Sequence, residues 1–96
     1  MSSYESSVKN AARRAGYDAS KLKRAPKSAS HKWEYTTPDG KIVKFGAAGY
    51  EDYHTHRDPE RRRNYMARSG GIAGDWRSNK YSANNLSRRI LWPENL

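Results

Sequence analysis

The amino-acid sequence predicts an α+β fold. It is a small domain with one β-hairpin at about residues 32–46, packed by short helices at about 59–68 and 82–92, and preceded by a helical basic N-terminal arm. Three observations carry this reading. Trp33-Glu34-Tyr35-Thr36 and Ile42-Val43-Lys44-Phe45 are strand-like runs joined by Thr37-Pro38-Asp39-Gly40. Asp58-Pro59-Glu60 has the composition of a helix start: a capping carboxylate, proline at the first position and an acid in the first turn. Leu86, Ile90 and Leu91 form an apolar face between Ser82, a candidate cap, and Pro93, which ends the helix.

Composition sets the limits. Ninety-six residues suit one small domain with a modest buried core. Only 34% of the residues are hydrophobic and 30% are charged, with a mean hydropathy of -1.19. Three Trp, seven Tyr and one Phe compensate, because each aromatic buries a large area. The expectation is therefore a small aromatic core with long polar arms. With no cysteine, disulfides and thiolate metal sites are excluded. No apolar run approaches the ~20 residues of a membrane span and none resembles a signal peptide, so a soluble protein, intracellular or enclosed in a particle, is expected.

The net charge is +9, unevenly distributed. Residues 1–31 carry net +5, residues 32–57 are neutral and residues 58–96 carry net +4. This predicts two units, a basic arm with a short helix over 1–31 and a hairpin-plus-helices domain over 32–96, presenting basic surfaces to an anionic partner.

Taken in order, Ser2 or Ser3 caps a first helix running to about Ala15, with Tyr4, Val8, Ala11 and Ala12 at helical spacing and Gly16 as terminator. Its apolar stripe is thin, so it should dock on the chain or on a partner. Asp18 to Arg24 reads as a short second helix, and residues 24–31 as a linker. The hairpin turn, with Pro second and Gly in the left-handed position of a bulge, sets a register. Tyr35 pairs with Val43, Glu34 with Lys44 and Trp33 with Phe45, which puts Trp33, Tyr35, Val43 and Phe45 on one face. Gly46 and Gly49 allow a tight exit, and Tyr50 and Tyr53 are spaced to pack. In the helix near 59–68, Tyr65 and Met66 are the inward candidates, while Arg61, Arg62 and Arg63 fan over about 200°. Residues 69–75 read as a glycine-rich loop.

The pattern Phe45-Gly46-Ala47-x-Gly49-Tyr50-x-Asp52-Tyr53, then His56-x-Asp58-Pro59-Glu60-Arg61-Arg62-x-x-Tyr65-x-x-Arg68, then Leu91-Trp92, resembles a family of small basic proteins of unknown function from large eukaryotic DNA viruses. The likeness covers residues 33–92. It departs after Arg68, where Ser69-Gly70-Gly71 stands in place of a histidine and further basic residues. The resemblance implies a virus-encoded, virion-associated protein, present in the host cytoplasm or nucleus during assembly, with other virion proteins or DNA as partners and no catalytic activity.

The sharpest catalytic candidate is His54-Thr55-His56 with Asp52 and Asp58, which has the residue types of a metal-dependent nuclease. The two histidines share a direction only in an extended segment, whereas the Tyr50 and Tyr53 spacing suggests a turn. Asp58 is better explained as a helix cap, and His56 as a residue bonding across the turn before the helix. There is no phosphate loop, serine elbow or Cys/His pair, so neither an enzyme nor a cofactor, metal or small-molecule substrate is expected. The residues expected to bind nucleic acid or an acidic partner are Arg13, Arg14, Lys21, Lys23, Arg24, Lys27, Arg61, Arg62, Arg63, Arg68, Arg77, Lys80, Arg88 and Arg89. Trp33, Tyr35, Phe45 and Trp92 are expected in the core. Trp76 and Tyr81, beside Arg77 and Lys80, are open to base stacking as much as to packing.

Overall fold

A computed structural model describes residues 3–26 and 28–94. The order is α1 (Tyr4–Arg14), a 3₁₀ turn (Ala19–Lys21), β1 (Leu22–Arg24), β2 (His31–Thr36), β3 (Ile42–Ala47), α2 (Tyr53–His56), α3 (Pro59–Gly70) and α4 (Ala83–Leu86), which runs on as a π-helical turn (Ser87–Leu91). The α+β class is thus observed, with a three-stranded antiparallel sheet in the order β1-β2-β3.

The hairpin has the expected register, with Trp33 opposite Phe45, Glu34 opposite Lys44 and Tyr35 opposite Val43. The Thr37 N–H donates to the Lys41 carbonyl at 2.8 Å and the Gly40 N–H to the Thr37 carbonyl at 2.9 Å, with Gly40 at φ 87. Only glycine takes that φ without strain, so the turn fixes which face of each strand turns inward. Trp33, Tyr35 and Phe45 are buried, and Val43 packs at the margin of the core.

The N-terminal helix docks on the rest of the chain, one of the two outcomes expected of it. Ser3 caps α1 by accepting from the Ser6 N–H. Gly16, at φ 89, ends it; the Tyr17 N–H reaches the Ala12 carbonyl at 2.9 Å and the Gly16 N–H the Arg13 carbonyl at 3.1 Å. This paired closure satisfies two carbonyls that a helix end otherwise leaves bare. Val8, Ala11 and Ala12 are buried, and α1 packs on the π-helical turn and α2. Small alanines let the helices approach closely, which offsets their small area.

The second helix expected over Asp18 to Arg24 is replaced by one 3₁₀ turn and strand β1. Asp18 does cap, accepting from the Ser20 N–H, but for one turn only. Leu22 is the segment's single apolar side chain and cannot make a helical stripe. In an edge strand one inward apolar residue suffices: Leu22 is buried opposite Tyr35, Lys23 is exposed, and Arg24, on the same face as Leu22, lies over the rings of Tyr4 and Trp33. The expected linker over 24–31 therefore begins inside a strand and ends inside another, and the expected domain division at 31/32 cuts β2. Lys27 lies outside the described residues.

Helix α3 begins as expected. Asp58 accepts from the Glu60 N–H and Pro59 opens the helix. It runs two residues beyond the expected end, to Gly70. The final helix starts at its Ser82 cap as expected, then widens into the π-helical turn. Leu86, Ile90 and Leu91 from this stretch complete the core over Trp33 and Phe45. At roughly 1.5–3 kcal/mol for each fully buried large side chain, this layer dominates the stability.

Candidate anion-binding cleft

Helix α3 is very polar; Ser69 is its only residue that is fully buried. It stands off the sheet and is held by particular side chains. Tyr65 stacks on Trp92, with ring centres 4.2 Å apart and planes at 11°, and its hydroxyl bonds Ser87 at 2.7 Å. Arg62 Nε donates to the carbonyls of Trp92 and Pro93 at 3.1 and 3.0 Å. Arg88 Nη1 donates to the Met66 carbonyl and to Ser69 Oγ at 2.9 and 2.7 Å.

These anchors leave a cleft on each side of α3. The fan expected for the consecutive arginines is observed: Arg61 lines one cleft, Arg62 lines the other, and Arg63 is exposed and lines neither. The second cleft, of about 590 Å³, is lined by Arg14, Arg62, Arg77, Arg88 and Arg89, with Glu94 as the one carboxylate among the described residues that line it. Among the described residues, no carboxylate lies within ion-pair distance of Arg62, Arg77, Arg88 or Arg89.

The loop between α3 and α4 is held by hydrogen bonds that set the position of Arg77. The Asn85 side-chain amide donates to the carbonyls of Trp76 and Asn79 at 2.8 Å, and the Ser82 hydroxyl to that of Trp76 at 2.9 Å. Trp76 Nε1 donates to the Ile72 carbonyl at 3.0 Å. The indole is buried against two guanidinium groups, Arg77 at 4.2 Å and Arg88 at 5.0 Å from the ring centre. Arg77 Nη2 donates to the Gly70 carbonyl at 2.8 Å. A Cβ at Gly70 would sit 3.3 Å from Arg88 Nη1 and 3.4 Å from Arg77 Nη2, so the bare glycine is where both guanidinium groups converge. Burial, then the positive charges of Arg77 and Arg62, hold Arg88 below the usual arginine range.

Arg62, Arg77 and Arg88 are thus fixed at one edge by main-chain carbonyls, with donors left over on the other. Guanidinium donors already ordered, close together and short of counter-charge suit a phosphate or carboxylate.

The other expected residues are dispersed. Arg13 is exposed and bonds Asn10; Lys21 and Lys23 are exposed on and beside β1. Arg24 lies over the rings of Tyr4 and Trp33, and Lys80 donates to the Gly16 carbonyl at 2.7 Å. Arg61 pairs loosely with Glu51 at 4.0 Å, and Arg68 sits over Tyr65. Trp76 and Tyr81 both pack: Tyr81 stacks on Tyr35 at 5.7 Å. Tyr50, expected to pack, is 75% exposed.

In the histidine loop Asp52, His54 and His56 each bond within the fold. Asp52 is buried; it caps α2 through the His54 N–H and accepts from the Tyr4 hydroxyl at 2.5 Å and the Lys32 ammonium at 2.7 Å. Burial, then this bond to Asp52, push the Tyr4 hydroxyl pKa well up. His54 Nε2 donates to the Ile90 carbonyl at 2.7 Å, which leaves Nδ1 to accept from the Ser7 hydroxyl at 2.7 Å. Burial holds its pKa below the usual histidine value, so it stays neutral. His56 Nδ1 accepts from the Asp58 N–H at 3.0 Å, the bond across the turn that the sequence suggested. Among the described residues, no group of three His, Cys, Asp or Glu is placed to hold a metal.

Residues 21–69 match the model of a family of unknown function, DUF5754. The chain belongs to that family. The DUF5754 region runs from the start of β1 through most of α3, so Arg62 lies inside it and Arg14, Arg77, Arg88 and Arg89 outside. No curated protein and no solved structure matches the chain.

Proposed function

We propose that this protein works by binding and not by catalysis, as a basic structural component that grips a polyanion through the arginine cleft beside α3. The phosphate backbone of a nucleic acid is the partner the cleft suits best. The resemblance to small basic proteins of large DNA viruses supports a setting in a virion, where such a protein would neutralise packaged DNA.

One observation carries the reading: Arg62, Arg77 and Arg88 are pinned by main-chain carbonyls in one cleft, with Arg14 and Arg89 lining it and a single carboxylate beside them. Ordering arginines beforehand lowers the entropy lost on binding, and their mutual repulsion is relieved by an anion. Among the described residues that line the cleft the one aromatic is Trp76, which is buried against Arg77 and Arg88 and so offers no open stacking platform. Binding is therefore independent of sequence.

The test is the affinity for a short DNA duplex as salt is raised. Neutralising about four phosphates gives a log–log slope near -3.6, at about -0.9 per phosphate. Failure to bind at low salt, or affinity indifferent to salt, overturns the proposal.

A further inference from the structure

The cleft on the other face of α3 has a different character. It measures about 880 Å³ and opens between β3 and α3, with Leu91, Tyr65 and Trp92 among its walls. Strand β3 is an outer strand of the sheet, so one side of its backbone is unpaired by the sheet. The Thr37 N–H bonds the Lys41 carbonyl. By antiparallel alternation, Val43 and Phe45 then bond inward to β2, and Ile42 and Lys44 direct their N–H and C=O groups outward, up to Gly46, whose φ of 77 ends the regular alternation. The large hydrophobic side chains that stand exposed among the described residues are Ile42 at 61%, Tyr50 at 75% and Ile72 at 52%. Ile42 begins β3, and Tyr50 and Ile72 line this cleft. Apolar exposure gathered at an unpaired strand edge marks a docking surface.

Charge selects the occupant. Among the lining residues, Asp52 is taken by Lys32 at 2.7 Å and Glu51 lies near Arg61 at 4.0 Å. Lys44 and Arg68, on opposite walls, have no carboxylate within ion-pair distance among the described residues. A second copy of the chain would bring another +9 to the contact.

We propose that this cleft receives an extended acidic segment of another protein, which adds to the β3 edge as a fourth strand. Its backbone bonds Ile42 and Lys44, alternate acids face Lys44 and Arg68, and apolar residues between them cover Tyr50 and Ile72. The surface is separate from the arginine cleft, so the protein joins a protein partner on one side of α3 to a polyanion on the other.

A random library of peptides of about twelve residues, long enough to span β3, tests this. It is selected on the full chain and counter-selected on a Lys44→Glu, Arg68→Glu double variant. The expected result is enrichment of peptides alternating Asp or Glu with apolar residues. These should shift and slow the exchange of the Ile42 and Lys44 amides, and bind the double variant at least tenfold more weakly. Circular dichroism of that variant checks that it is folded. A Lys44→Gln, Arg68→Gln variant, which removes the charges without reversing them, should give an intermediate loss. The inference is overturned if no acidic peptides are enriched or if they shift arginine-cleft residues. Self-association through β3, or DNA perturbing the Ile42 and Lys44 amides, also overturns it. Loss of DNA binding on arginine-cleft substitution alone leaves this result unchanged, so the two readings fail separately.

Discussion

Replacing Asp52 with Ala strands three donors at once: the Tyr4 hydroxyl, the Lys32 ammonium and the His54 N–H. Removing one partner of a buried charge pair costs about 3 kcal/mol, which should appear as a lower urea midpoint with an unchanged slope. His54 gives a pH signature. Its folded pKa lies below the unfolded value of about 6.5, so the unfolded chain takes up the proton first. Its contribution is complete above pH ~6.5 and is lost as the pH falls through that value toward the depressed folded pKa. A His54→Gln variant should lack this portion of the pH dependence, measured as unfolding free energy against pH. In the sequence these residues carried the types of a catalytic site, and residue type alone could not separate the two roles. The difference is made by Tyr4, Ser7 and Ile90, which lie between 36 and 48 residues away along the chain.

Gly46 shows how an element depends on one bare backbone position. At φ 77, with a built Cβ only 2.6 Å from Leu91 Cδ1, alanine there would strain the strand and push on the core. Gly46→Ala should cost about 1–3 kcal/mol, read from thermal unfolding. Deleting residues 1–15 removes α1, exposes the π-helical turn and Trp33, and should abolish cooperative unfolding by circular dichroism. The hairpin, its turn, its register and the cap of α3 were legible because each rests on a local rule: alternation, a proline-glycine turn, a carboxylate before proline. Strand β1 was not, because three residues with one apolar side chain carry no period and pair only once β2 is in place. The π-helical turn was equally silent, since it depends on how Leu91 and Trp92 meet the sheet and α3.

At the scale of the molecule, α3 is a strut between two clefts, one lined mainly by arginines and one opening beside β3. Basic charge predicted an anionic partner but not its seat, because arginines at 14, 62, 77, 88 and 89 meet only through the fold. Of the basic residues named from sequence, Lys21 and Lys23 stay dispersed on the surface. They provide the control that separates a built site from diffuse charge. The deciding measurement is the salt dependence of duplex DNA affinity for two charge-matched double variants, Arg77→Gln with Arg89→Gln, and Lys21→Gln with Lys23→Gln. Both remove two positive charges. If the cleft is the seat, the arginine pair should lose at least tenfold in affinity, with a slope shallower by about 1.8, while the lysine pair stays within about twofold of the parent. Equal losses in the two variants would show that the protein binds through net charge alone and would contradict the cleft.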